Sequence, residues 1–556
     1  MHQLTGSRVR VVLGLLAIAL AVSGLLYSGT LDYPLTYDDY HQVRPYTAGE
    51  IAQAFLGNWD PSGIESRFYR PLTIVFYAAR FEALGVNERA YRVVSITLFA
   101  MAGGLLGWCV FAMTQNAASA ACASVLFAVH PSMPYALVGW AANQMHLLAV
   151  LLVLCGVLWW LHVKDRSASW WSPLLLIQVL VFLVKEDGIM FAPLIVILHG
   201  AHRRALTGRW ALPPPGILVP ALLLFCALPI GRYAALGELG GYGLPRAGRM
   251  LTNLAAGPAG ILLQLPASRA GQWPLRWLSI GAVVLGSLAA AWRRDRHAVL
   301  LGITGLSVTV LFDLPLALVV KAEQLHFVAT GSVLLVTAGL TALYRASDRP
   351  PWKAVVASAA LATVAVGALV ARDISRDFAP CAPRTLATNA IVRDWDAVPF
   401  EIRQGLPTRP DACTNQSGTR LTDLPLIAFG AGGWERDGIE AFRWTGQRVV
   451  LLVSPAREQV VVRARLRSPH VSSTALRVRA GGDGWRAVTV AGEWQDVTLT
   501  RGDSRGRASD GMWRVELETQ DTWIPAAFDR HSADHRILGV QLGETRDMNP
   551  LGPSSR

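Results

Sequence analysis

Residues 8–27 read RVRVVLGLLAIALAVSGLLY, and residues 31–41, a few positions on, read LDYPLTYDDYH. The first stretch is apolar from Val9 to Tyr27 behind Arg8 and Arg10. Its length suits a bilayer core of about 30 Å. A cleaved signal peptide is the competing reading, but its apolar region would be shorter and would end in a small-x-small site. No such site stands out, so the stretch is read as an uncleaved first transmembrane helix.

Working outward, ten further apolar segments follow at 92–113, 118–133, 145–163, 172–184, 189–201, 216–232, 276–292, 298–314, 327–344 and 353–371. Eleven spans result. A twelfth segment, 251–266, is ambiguous because it holds Gly257, Pro258 and Gly260. Charge decides it. With a cytoplasmic N-terminus and eleven spans, cytoplasmic loops hold Lys164 and Arg166; Arg203, Arg204 and Arg209; Arg293, Arg294 and Arg296; and Arg345, Arg349 and Lys353. That obeys the positive-inside rule. A twelfth span would move the Arg293 group outside, so 251–266 is read as re-entrant or interfacial.

Composition agrees. Of 556 residues, 52% are apolar and 16% charged, against about 25% charged in soluble proteins. Too little polar surface is present to coat several soluble domains, and disorder is excluded. The net charge of +12 is attributed to helix ends and membrane orientation, and no nucleic-acid partner is expected. Six cysteines in this length exclude a disulfide scaffold.

Beyond residue 371 charged residues, Gly and Pro become frequent. Alternating runs appear at 448–453, 459–466, 475–478, 496–499, 513–517 and 537–542, bounded by turns such as Gly-Gly-Asp-Gly at 481–484. Such spacing predicts a β-sandwich. An odd number of spans places this 372–556 domain outside the cytoplasm, where Cys381 and Cys413 can pair. The expected architecture is a polytopic α-helical domain, 1–371, carrying a large first outer loop, 28–91, followed by an extracytoplasmic β-sandwich. The protein is expected in a membrane, the inner membrane if bacterial.

The first outer loop carries chemistry. Asp38 and Asp39 follow the first helix within about a dozen residues. A carboxylate at the interface can take a proton from a hydroxyl or hold a divalent metal. The bland reading is a solvated turn. Thr47 and Glu50 form a capping box, and Ile51, Ala54 and Phe55 then give an amphipathic helix lying on the membrane. Arg67 and Arg70 suit a lipid phosphate, because the guanidinium fork matches its oxygens; interfacial anchoring is the alternative. His41, two residues after Asp39, can share a proton with the pair.

An acidic pair in the first outer loop after one N-terminal helix resembles the GT-C glycosyltransferases, and more closely the protein O-mannosyltransferase and TMTC-like branch. The shared elements are Tyr-Asp-Asp-Tyr (37–40), Tyr-Arg-Pro-Leu (69–72), Tyr91, His130-Pro131, Val138-Gly-Trp140, Leu147-Leu148, and Lys185-Glu186 with Pro193. They cover residues 30–200 in the family's order. The resemblance implies an inverting enzyme that takes a sugar from a polyprenyl-phosphate carrier. It implies Asp38 or Asp39 as general base and Arg67, Arg70, Lys185 and Lys321 around the donor phosphate. His41, His130, Gln144, Glu186, Gln324 and His326 are candidate accessory residues. The chain departs from relatives at three places. Tyr135 stands where they carry an acid, Asn143 and Gln144 where they carry Arg, and Glu323-Gln-Leu-His-Phe327 where they carry an Arg-Tyr-Leu-Tyr-like run.

His130 and His146, with the acids, are the alternative metal ligands, but no metal-ligand spacing is present, so no metal residue is assigned. Lys185, Glu186 and Asp187 lie between two short helices, and charges near membrane depth are paired or functional. Trp159, Trp160, Trp170 and Trp171 read as an aromatic belt. Trp434, Trp444, Trp485, Trp494, Trp513 and Trp523 read as sandwich residues, one or two of which can bind a glycan. Two other classes compete. One is a membrane-anchored binding or assembly protein that has lost catalysis. The other is a secondary transporter, which would show matched broken helices in two halves; only 251–266 is broken. The acceptor (protein, glycan or lipid) is open.

Overall fold

A computed structural model describes residues 6–237 apart from 32, 34–38, 44, 58–67, 86 and 135–140. It further describes 273–313, 326–377 and 426–543, the last apart from 432–434, 438–439, 454–457, 481–483, 501–512, 524 and 526–537. The chain divides into two compact units. One comprises Met1–Tyr33 with Pro45–Ala379, the other Pro34–Arg44 with Pro380–Arg556.

The first unit is helical: α1 (Gly6–Tyr27), α3 (Ala48–Leu56), α4 (Pro71–Leu84), α5 (Glu88–Thr114), α6 (Ala117–Ala128), α7 (Gln144–Val163), α8 (Ser172–Val184), α9 (Phe191–Thr207), α10 (Pro215–Leu236), α11 (Trp273–Arg293), α12 (Arg296–Asp313), α13 (His326–Ala346) and α14 (Pro350–Asp377). The short α2 (Asp39–Gln42) belongs to the second unit. Among the described residues, seven helices are long and apolar enough to cross a membrane, within α1, α5, α7, α9 with its preceding turn, α10, α13 and α14. Four shorter apolar helices, within α6, α8, α11 and α12, accompany them. Each of the eleven apolar segments expected from sequence falls on one of these helices. The 251–266 segment lies outside the described residues.

Small residues let the helices approach. A Cβ on Gly339 of α13 would sit 1.9 Å from the Ala282 carbonyl oxygen of α11, and one on Gly331 would sit 2.3 Å from Thr309 Oγ1 of α12. With apolar lipid around them, helices gain little from hydrophobicity and associate through such close backbone packing. The result is that α13 is buried almost throughout its first four turns. Tyr27 of α1 is fully buried, packs edge-on against Phe99 of α5 and donates to the Ala128 carbonyl at 3.0 Å. At one end of the unit, Arg345 bonds Asp295 at 3.1 Å and the Thr114 carbonyl at 3.0 Å. The opposite ends of α5 and α13 carry the candidate site.

The expected capping box is present: Thr47 Oγ1 accepts from Glu50 N, and Thr47 N donates to Glu50 Oε2 at 2.7 Å. Ala54 is buried against Ile74 and Tyr77 of α4 and Ile51 packs beside it, while Phe55 stays exposed. The apolar face of α3 therefore rests on α4.

In the second unit nine strands pair among the described residues: β1 (Leu426–Ala431), β2 (Glu435–Asp437), β3 (Glu440–Val453), β4 (Gln459–Arg465), β5 (Ser473–Ala480), β6 (Arg486–Ala491), β7 (Gln495–Thr500), β8 (Trp513–Thr519) and β9 (Gln541–Gly543). The order is β6-β5-β8-β3-β9-β4-β7, with β1 and β2 also on β3. The long β3 serves two antiparallel ladders. Its first half pairs with β2 and β9, its second half with β1 and β8. Alternate residues of both ladders, among them Leu451, Val462, Val478, Leu499, Leu517 and Leu542, enclose one apolar core. Cys381 and Cys413 lie outside the described residues.

Candidate functional site

Five separate parts of the chain meet at one end of the helical unit. Arg70 occupies the N-cap position of α4, with Pro71 fixing the first turn. Thr73 Oγ1, one turn on, donates to the Val184 carbonyl at 2.8 Å, satisfying an orphan acceptor at the end of α8. Lys185 then leaves the helix in an extended conformation. The 3-10 turn Glu186–Met190 folds back on α8, which requires Gly188: a Cβ there would meet Val181 Cγ1 at 2.4 Å.

This geometry gathers charge. Glu186 accepts from Arg70 Nε at 2.8 Å and from the Tyr69 backbone N–H at 3.2 Å, and Arg232 at the end of α10 stands 3.8 Å away. Lys185, 2% exposed, pairs with Asp187. Arg70 lies over the Phe68 ring at 4.2 Å and reaches Met145 Sδ at 3.6 Å. The next residue on α7, His146, is buried with its ring 4.4 Å from that of His326, the first residue of α13. The Tyr69 hydroxyl donates to the Phe55 carbonyl at 3.0 Å, and partial burial raises its pKa, which keeps it protonated.

Gln144, at the start of α7, forms a polar knot. Its amide nitrogen donates to the Tyr91 carbonyl at 2.8 Å and Ser95 Oγ at 2.7 Å, and its oxygen accepts from Arg80 Nη1 at 2.7 Å. A buried guanidinium thus stands against Gln144 at the start of α7. Arg80 was not singled out by sequence reasoning. The available signal was a lone Arg within the apolar run PLTIVFYAARFEAL, since charges in such surroundings are paired or functional.

The structure brings together Arg70, Lys185, Glu186 and His326 from the expected set and adds His146, Asp187 and Arg232. His130 takes another role. Its Nδ1 accepts from Ser132 N at 3.2 Å, so Nε2 carries the proton toward Ser332 Oγ at 3.0 Å, about two turns along α13 from His326. Asp39 opens α2, is fully buried, and its carbonyl accepts from Val43 N at 2.8 Å. Asp38, Arg67, Lys321 and Gln324 lie outside the described residues, as does the His41 side chain. Among the described residues no group of three or more His, Cys, Asp or Glu is placed to hold a metal.

No family model matches the chain, and no curated protein matches it. Among solved structures it is similar to the cryo-EM structure of the arabinosyltransferase EmbB from Mycobacterium smegmatis. The TM-score is 0.36 at 12% identity, over 99% of this chain and 64% of that one. The chain therefore spans less than two thirds of that protein's length. A likeness of this extent assigns neither family nor substrate.

Proposed function

We propose that this chain is an integral-membrane glycosyltransferase of the GT-C type. It moves a sugar from a polyprenyl-phosphate carrier to an acceptor hydroxyl on the outer face of the membrane, with inversion. The observation that carries the reading is the convergence of Arg70, Lys185 and Arg232 on Glu186 and Asp187 at one end of the helical unit. Such a group of converging cations suits an anionic ligand whose charge grows during reaction. In the proposed step the acceptor oxygen bonds to C1 of the sugar as the bond from C1 to the carrier phosphate oxygen breaks. The leaving phosphate gains negative charge, which cations stabilise without a general acid. Arg70 and Lys185 are assigned this role, with Arg67 and Lys321 added from the sequence pattern. The acceptor proton goes to Asp38 or Asp39, again assigned from the sequence pattern alone. The β-rich unit is assigned an extracytoplasmic position, as a sandwich that gathers or orients the acceptor.

One feature favours a second reading. Glu186 and Asp187 already neutralise Arg70 and Lys185, as they would in a non-catalytic anchoring or assembly protein. A transfer assay separates the two, using purified full-length protein, labelled polyprenyl-phosphate sugars and a panel of acceptors. The wild type is expected to transfer label. The Asp38→Asn, Asp39→Asn double variant is expected to lose roughly a hundredfold or more, the usual contribution of a general base. Full activity in the double variant sinks the base assignment, and no transfer by the wild type favours the anchoring protein.

A further inference from the structure

The turn that joins α13 to α14 borders a cleft of about 410 Å³. It lies at the end of α13 away from His326 and the candidate site. Leu343 of α13 and Val356 of α14 give the cleft an apolar wall, and Asp348, Arg349 and Trp352 give it a polar rim. The carboxylate in the rim is already engaged. Arg293 of α11 donates through Nη2 to Asp348 and, at 2.9 Å, to the Ala346 carbonyl. Arg345 likewise pairs with Asp295. Residues 293–297 and 345–353 hold six Lys and Arg but two Asp, and Arg293 and Arg345 take both carboxylates. Among the described residues no carboxylate pairs with Arg294, Arg296, Arg349 or Lys353. Arg349 is exposed. The Lys353 N–H donates to the Arg349 carbonyl at 3.3 Å, so the two residues stand one turn apart on one face.

Location selects what these cations meet. His326–Ala346 of α13 and Pro350–Ser375 of α14 are each long and apolar enough to cross a membrane. Only residues 347–349 separate the two helices, so the cleft lies at the membrane boundary, at the level of lipid phosphates. Trp352 and Tyr344 are 59% and 44% exposed there, as aromatic anchors of that zone are. A basic pocket between spanning helices at this depth fits an anionic headgroup. Leu343 and Val356 lie about one turn and two turns further into their helices, where acyl chains begin. A zwitterionic headgroup brings an ammonium of its own, which the surplus cations repel. A soluble anion leaves the apolar wall uncovered.

We propose that the cleft between the end of α13 and the start of α14 binds an anionic diacyl phospholipid. Arg349 offers its guanidinium fork to two phosphate oxygens, Lys353 adds a second positive charge, and the acyl chains lie along Leu343 and Val356. The ligand is a bulk membrane lipid, held far along α13 from Arg70 and Lys185. Its binding is independent of glycosyl transfer.

The test is native mass spectrometry of the full-length protein titrated with phosphatidylglycerol, with phosphatidylcholine of the same acyl chains, and with glycerol phosphate. The wild type is expected to retain phosphatidylglycerol in preference to phosphatidylcholine. The Arg349→Gln, Lys353→Gln double variant is expected to weaken phosphatidylglycerol binding about tenfold to thirtyfold, the scale for two cations at an anionic surface, and to leave phosphatidylcholine binding unchanged. The control is the Arg204→Gln, Arg209→Gln double variant, which removes two exposed cations beyond the cleft, around the end of α9. It is expected to bind as the wild type does, and a thermal midpoint without added lipid confirms that both variants are folded. Equal phosphatidylglycerol binding by the wild type and the Arg349, Lys353 variant overturns the proposal. So does a wild type that does not distinguish the two lipids. An equal loss in the control shows attraction to overall positive charge and overturns the site. Competition by glycerol phosphate at the affinity of the lipid reassigns the cleft to a soluble phosphate and overturns the lipid source.

Discussion

Arg70 and Arg80 lie ten residues apart, at the start and inside the same helix, and both are buried. Arg70 meets a carboxylate: Glu186 accepts from its Nε at 2.8 Å and is also approached by Arg232. Among the described residues Arg80 meets a carbonyl, an amide oxygen and aromatic rings, and three of its five N–H donors, on Nε and Nη2, make no hydrogen bond. The difference separates a cation that the protein pairs with a carboxylate from one that pairs with none among the described residues. An anion arriving at Arg70 must compete with Glu186, whereas no carboxylate pairs with Arg80 among the described residues. Arg465 in the β-rich unit extends the comparison. It bonds Glu440 Oε2 at 3.0 Å and Gln541 Oε1 at 2.6 Å and lies over Trp494 at 4.3 Å, so its charge is matched by a carboxylate.

If Arg70 is structural because it is matched, removing its match should do most damage. Glu186→Gln removes the carboxylate charge that Arg70 and Arg232 approach and is expected to destabilise by about 3–5 kcal/mol, as for other broken buried pairs. Thermal unfolding in detergent reads this, and an unchanged midpoint would remove the contrast. Lys185→Met tests whether a matched cation also works in catalysis. It is expected to lower kcat about a hundredfold, the scale for losing one group that stabilises developing charge. A fall in stability with kcat preserved would make Lys185 structural. Arg80→Lys is expected to change apo-protein stability by only about 1 kcal/mol, because the two Nη1 bonds can be kept. A loss as large as that of Glu186→Gln would place Arg80 with Arg70.

The mildest effect concerns pH. The Trp494 N–H bond to Glu440, reinforced by Arg465 and Arg463, holds the Glu440 carboxyl below its usual pKa. A depressed pKa gives stability that is present above the unfolded-state value and is lost as pH falls through the folded-state value. Acid unfolding of the β-rich unit should therefore begin at higher stability in the wild type than in Glu440→Gln, with the two curves converging below the folded-state pKa. Parallel curves would show that Arg465 does not depend on this charge.

Much of the helical unit was legible because lipid imposes long apolar runs, and each of the eleven segments fell on a helix. The Thr47–Glu50 box was legible because capping is local. The strand runs located β4, β5, β7 and β8, the second half of β3 and, through 537–542, most of β9. They did not reveal β1, β2, β6 or the first half of β3. β6 reads RAVTVA with only Val490 fully buried, so its alternation carries little apolar contrast. Arg70, Lys185 and Glu186 were legible as charges beside helix ends. The pairing of Arg80 with Gln144 was not, because it joins residues 64 positions apart and neither belongs to a local pattern.

The central claim is tested most directly by the rate at which full-length protein in lipid nanodiscs releases polyprenyl phosphate from polyprenyl-phosphate sugars in the presence of acceptors. Steady release by the wild type is expected, with a drop of roughly a hundredfold in Lys185→Met and in the Asp38→Asn, Asp39→Asn double variant. A wild type that releases none across the panel of sugars and acceptors, or variants that release at the wild-type rate, would contradict it.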